Sequence, residues 1–247
     1  MKTEAVIEIK GLVTRFGERT ILNHIDLDFF KNDVTVILGG SGSGKTTLLK
    51  SILGLVTADE GDIRLFGQEF DLEDEASVNA TLQRIGVLFQ NGALLNSISV
   101  LENFAIPLEQ HTKLDQSLIK QMASVKLGMV GLAQAAHQLP SELSGGMRKR
   151  AALARAIALD PELLFCDEPS AGLDPITSAA LDDLILTLRD QLQMSIVVVT
   201  HELASIHRIA DRIVFLEKGK ILFHGSVPEA KSCGLEVVEK FFQAGTF

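Results

Sequence analysis

At 247 residues the chain is long enough for one large α/β domain or for a domain with a subdomain. Its 46% hydrophobic and 22% charged residues strike the balance of a globular protein, which excludes a disordered or fibrous one. A formal charge of -9 argues against broad binding to nucleic acid or anionic membrane through bulk electrostatics, leaving room only for a local patch, and two distant cysteines, Cys166 and Cys233, give no sign of a disulfide framework or metal cluster.

The N-terminus enters the alternating run Val6-Ile7-Glu8-Ile9-Lys10 without the apolar block and small-residue cleavage site of a signal peptide. The apolar runs are also far shorter than the roughly 20 residues that cross a bilayer. The expectation is a cytoplasmic chain whose membrane contacts run through another protein. Val6–Gly11 and His24–Phe30 read as strands of an antiparallel sheet, with turns at Phe16-Gly17-Glu18 and Lys31-Asn32-Asp33. Val34–Leu38 is apolar or β-branched throughout, as a strand buried on both faces of a parallel sheet should be.

The next residues, Gly39-Gly40-Ser41-Gly42-Ser43-Gly44-Lys45-Thr46, fit the phosphate-loop pattern G-x-x-x-x-G-K-[ST] between a buried strand and a helix predicted over Lys45–Leu53. Glycines let successive backbone N–H groups point into one concavity, and the helix start adds its positive dipole end. Lys45 supplies a charge, and Thr46 offers a hydroxyl to magnesium. A triphosphate is the natural guest. The dinucleotide fingerprint G-x-G-x-x-G fits less well, because Lys45 stands where its third glycine belongs.

The acidic stretch from Gly67 to Ala80 reads as a solvated loop, and 91–142 as helical, with segments such as Val100–Phe104 and Leu118–Val130. After Ser144 a helix (Met147–Ala158), a strand (Leu163–Cys166), a helix (Pro175–Gln193) and a strand (Ile196–Thr200) alternate as in a wound α/β sheet. Asp167 and Glu168 end the first of these strands, at the edge where open α/β sheets bind ligands. Asp167 suits a magnesium ion, and Glu168 suits the orientation and deprotonation of an attacking water, although such a pair can equally cap a helix. His201 follows the second strand, within reach of a γ-phosphate; a lone histidine there can also be structural. Arg148-Lys149-Arg150 reads as a solvated helix face, and Leu235–Phe242 as a terminal helix.

Leu143-Ser144-Gly145-Gly146-Met147 resembles the signature motif of ATP-binding cassettes, with Met147 where the family usually has Gln. The resemblance covers essentially the whole chain. It implies an α/β P-loop NTPase with an antiparallel β subdomain and an inserted helical subdomain: core 1–90 and 143–224, helical subdomain 91–142, helical tail 225–247. By the same resemblance Phe16 stacks on adenine, with Phe in place of the commoner Tyr. Thr47 joins the phosphate loop about ATP, and Gln90 senses magnesium beside Thr46 and Asp167. Ser144, Gly145 and Gly146 face the nucleotide on the opposite subunit, and Ala171-Gly172-Leu173-Asp174 form the loop that crosses the dimer. Lys45, Glu168 and His201 carry catalysis.

Phe89–Leu95, Ile106–Thr112, Met147 and Ala171–Thr177 together look like the ATPase subunit of Mla-type, Mce-associated lipid transporters. That resemblance implies a homodimer on the cytoplasmic face of a bacterial inner membrane, with a permease, an Mce-type lipid-binding protein and phospholipid as cargo. A small polar solute is the alternative cargo. A permease-free cassette acting on ribosomes or DNA is the alternative class, disfavoured by the acidic charge and the single cassette. Ala93, Leu94 and Leu95 either line a groove for a permease helix or belong to the core.

Overall fold

A computed structural model describes residues 4–243, so Met1–Thr3 and the last four residues of the expected tail lie outside the described residues. The chain divides into two compact units, one of 1–82 with 195–247 and one of 83–194. No helix among the described residues is long and apolar enough to cross a membrane.

In the first unit, β1 (Ala5–Phe16) pairs antiparallel with β2 (Arg19–Phe30) and with β4 (Glu60–Leu65), and β5 (Gln68–Glu69) adds to β4. Alternation explains the sheet: Ile7, Ile9, Leu22, Ile25 and Leu27 are buried, whereas Lys10, Asp26 and Asp28 point outward. β2 begins earlier than the sequence predicts, with His24 at φ 50°. β3 (Val34–Leu38) and β8 (Ser195–Val199) are buried along their whole length and pair in parallel. β9 (Arg212–Glu217) flanks β3 on the other side, also in parallel, and β10 (Lys220–Gly225) closes that edge antiparallel to β9.

α1 (Lys45–Ile52) follows β3 and ends at the C-cap Leu53, where Gly54 at φ 68° leaves the helix. The expected loop at 67–80 instead contains β5 and the start of α2 (Glu75–Leu82). α2 is mostly exposed, which hid its periodicity. It starts where the Asp74 side chain accepts from the Ser77 N–H at 3.1 Å. α7 (Leu203–Ile209), α8 (Val227–Ala230) and α9 (Glu236–Gln243) complete the unit, with α9 held by Val238 and Phe242.

In the second unit, β6 (Ile85–Leu88) pairs in parallel with β7 (Leu163–Asp167). Around them lie α3 (Val100–His111), α4 (Gln116–Met129), α5 (Gly145–Ala156) and α6 (Pro175–Leu192). Ser99 and Glu102 form a capping box on α3, while Asp115, Ser144 and Asp174 cap α4, α5 and α6. The small residues of α5 let it approach β6 closely: a Cβ on Gly86 would lie 2.3 Å from the Ala156 carbonyl oxygen. Cys166 is buried in β7, and desolvation pushes its thiol up to about 12 although the charge of Lys149 pulls the other way.

Candidate functional site

Residues 39–46 leave β3 as a loop and enter α1 as its first turn. Gly39 and Gly44 have φ of 147° and 110°, where side chains are strained, and a Cβ on Gly39 would lie 2.1 Å from the Leu216 carbonyl oxygen. Lys45 Nζ donates to the Gly39 and Gly40 carbonyls at 2.8 and 3.0 Å, folding its ammonium back over the loop. Ser43 is buried, and its hydroxyl has no hydrogen-bond partner among the described residues. Ser41, Gly42 and Thr46 are exposed, Thr47 is half-buried, and the first turn of α1 carries no acidic residue. This is a cradle for an anion: N–H groups and a helix start, a lysine across the loop, and a buried hydroxyl in want of a partner. The donor set fits a nucleotide triphosphate.

In the same unit, Ile37 of β3 lies opposite Val199 of β8, so His201, exposed just past β8, emerges at the end of the sheet where the loop begins. Thr200 before it is buried, and its hydroxyl accepts from the Glu202 N–H at 3.2 Å. Phe16 ends β1 in the antiparallel sheet with 55% of its surface exposed, an aromatic face open to a planar ligand.

The second unit holds the remaining candidates. Asp167, half-buried, is the last residue of β7. Glu168 follows at φ 45°, a conformation that non-glycine residues adopt at a cost, and its carbonyl accepts from the Ala171 N–H at 3.2 Å. Gln90 is exposed beyond β6. Ser144 caps α5 by accepting from the Met147 N–H at 3.3 Å. A cavity of about 190 Å³ is lined by Gln90, Gly92, Gly145, Lys149, Ala171 and Leu173, so the fold brings the Gln90 loop, the start of α5 and the 171–173 segment to one place.

The Asp174 carboxylate is engaged by its own helix. It accepts from the Thr177 hydroxyl at 2.5 Å and from the Ile176 and Thr177 N–H groups at 3.1 and 3.0 Å, and these bonds, the hydroxyl foremost, hold it below the usual carboxylate range. Ala93 and Leu95 expose their side chains and Leu94 is half-buried, which removes Ala93 and Leu95 from the core. The backbone there is fixed all the same, because Asn103 accepts from the Leu95 N–H at 2.8 Å and donates to its carbonyl at 3.0 Å.

The solvated face expected for Arg148-Lys149-Arg150 does not hold for Lys149. Lys149 is 7% exposed, and its ammonium donates to the carbonyls of Gln90 at 2.5 Å and Glu168 at 3.1 Å. Arg155 works similarly on the same helix, donating to the Gly92 and Ala93 carbonyls, each at 2.8 Å. A basic triplet is no sign of this by itself. The available signal was the surrounding Gly145, Gly146, Ala151, Ala152 and Ala154, small residues that let other backbone come close enough for a lysine to reach it.

A family model described as ABC transporter matches residues 22–171. The chain is 41% identical to the intermembrane phospholipid transport system ATP-binding protein MlaF of Haemophilus influenzae, over 95% of this chain and 89% of that one. It is 39% identical to a protein of Mycobacterium leprae named as a probable ribonucleotide transport ATP-binding protein, mkl, over 91% of this chain and 65% of that one. A solved dimeric ATP-binding cassette in a post-hydrolysis state, bound to ADP and Pi, superposes with a TM-score of 0.80 at 28% identity, covering 90% of this chain and 98% of its own. Cradle, signature helix and whole-length similarity agree, and the chain belongs to the ABC transporter family as one of its ATP-binding cassette ATPases.

Proposed function

We propose that this ATPase powers phospholipid transport at a bacterial inner membrane, working as a homodimer with a separate permease and an Mce-type lipid-binding protein. The observation that carries the reading is the 41% identity to MlaF across 95% of this chain and 89% of that relative, whose name specifies intermembrane phospholipid transport. Residues 91–142 serve as the helical subdomain that passes motion to the permease.

Phe16 stacks on the adenine, and the 39–46 loop with Lys45 and Thr47 takes the phosphates. Magnesium, when bound, neutralises phosphate charge; Thr46, Asp167 and Gln90 have the hydroxyl, carboxylate and amide oxygens that such a hard cation takes. Glu168 orients and deprotonates the attacking water, and His201 contacts the γ-phosphate. Ser144, Gly145 and Gly146 face the nucleotide of the partner copy, and Ala171–Asp174 cross the dimer beside them. ATP binding favours the closed pair, and hydrolysis reopens it.

The similarity to the mycobacterial protein, 39% over 91% of this chain, favours a second cargo, a ribonucleotide. Gentle detergent purification of the tagged chain from its native membranes, with mass spectrometry of co-purifying proteins and small molecules, tests both. A permease, an Mce-type protein and bound phospholipid are expected. A permease with nucleotide and without lipid overturns the phospholipid reading and supports the second.

A further inference from the structure

The geometry points to Lys149 as a positioning residue for hydrolysis: from the signature helix, its buried ammonium fixes the Gln90 loop and the Glu168 backbone as one unit. This inference rests on the roles proposed above for Gln90 and Glu168.

A lysine is rarely buried to this degree, since desolvation penalises its charge unless dipoles or anions surround it. Here the charge meets two backbone carbonyls from different segments, one beyond β6 and one beyond β7. Both are the residues to which the site gives its sensing and water-orienting tasks. Glu168 sits at φ 45°, and such a conformation persists only where neighbours hold it. Its carbonyl is held twice, accepting from Lys149 at 3.1 Å and from the Ala171 N–H at 3.2 Å. Releasing that carbonyl frees the backbone at Glu168 to leave φ 45°, and with it the direction in which the Cα–Cβ bond presents the side chain.

The same face of α5 holds the Gln90 loop a second time. Gly92 lies over Ala152, where an added Cβ would be 3.1 Å from the alanine methyl, and Arg155 grips the carbonyls of Gly92 and Ala93. Lys149, Ala152 and Arg155 follow one another at three-residue spacing, so one stripe of one helix carries the whole clamp. The contacts of Lys149 to Gln90 and Glu168 are both to backbone carbonyls, so what they contribute is alignment. Loss of Lys149 lowers the rate of hydrolysis far more than the affinity for nucleotide.

The test uses the transporter complex carrying wild-type, Lys149→Met, Lys149→Arg, Lys149→Gln or Glu168→Gln chains. Phosphate release gives kcat and KM, a fluorescent ATP analogue gives affinity, and thermal unfolding gives integrity. The expected result for Lys149→Met is a fall in kcat of about 10- to 100-fold with affinity within about threefold of wild type, and for Lys149→Arg a recovery of most of the rate. Wild-type kcat in Lys149→Met overturns the inference, as does a parallel loss of affinity and rate. If Lys149→Met fails to fold, the other pair decides: Gln slow and Arg fast, both with normal affinity, supports it, and equal rates overturn it. Glu168→Gln separates the two levels. Full turnover in that variant removes the underlying role of Glu168, whereas a dead Glu168→Gln beside an active Lys149→Met removes only the role of Lys149.

Discussion

Lys45 crosses the phosphate loop to two of its own carbonyls, at 2.8 and 3.0 Å, the position from which it can turn to a phosphate oxygen. Replacing it with alanine removes a charge-assisted contact of about 1.5–3 kcal/mol, so nucleotide affinity should fall by about tenfold or more in an equilibrium titration. Gly39→Ala is expected to be worse for the fold than its single methyl suggests. The new Cβ meets the backbone oxygen of Leu216, which cannot rotate away, and a cost of about 1–3 kcal/mol in chemical unfolding is the expected outcome. The loop was fully legible in the sequence because its chemistry lies in eight consecutive residues. Lys149 was not, because what it does is set by the carbonyls of Gln90 and Glu168, 59 and 19 positions away in the chain.

Four helix starts share one electrostatic device. Glu102, Asp115, Asp174 and Glu229 each accept hydrogen bonds from the first turn of a helix or its capping residue, and each is held below its ordinary carboxylate range by those bonds, led by the partner hydroxyl or, for Glu229, by the Ser226 backbone. A depressed folded value means that the stabilisation is fully present above the unfolded value, near 4, and is lost as the pH falls through the lower folded one. Asp115→Ala should therefore lower the thermal midpoint at neutral pH, with the difference from wild type shrinking below about pH 4. An acid-independent difference would point to packing. The helical segments expected from the sequence begin where α3 and α6 do, at Val100 and Pro175, and two residues late for α4, at Leu118. α3 runs past the expected Val100–Phe104 and through Pro107 to His111 with Phe104, Ala105 and Leu108 buried, so packing outweighs the lost N–H. α2 failed for the opposite reason, having too little buried surface to show a period.

For the whole molecule, the alternation of buried strands and helices after Ser144 and the buried run Val34–Leu38 sufficed to give the α/β class, because strands covered on both faces read as near-continuous apolar or β-branched runs. Glu168→Gln with ATP should give a longer-lived dimer in sedimentation velocity than the wild type, because closure is retained while the step that reopens the pair is blocked; a monomer under those conditions would count against closure on ATP. The buried thiol of Cys166 has a practical bearing on such work. Burial raises its thiol well above the ordinary range and β7 shields it from solvent, so electrophiles should pass it by. Cys233, only half-buried between α8 and α9, is then the one site that a maleimide dye or spin label should find on the native chain. Each copy thus carries a built-in attachment point, and the separation of two probes, read through an ATP cycle, can follow opening and closing without a single engineered cysteine.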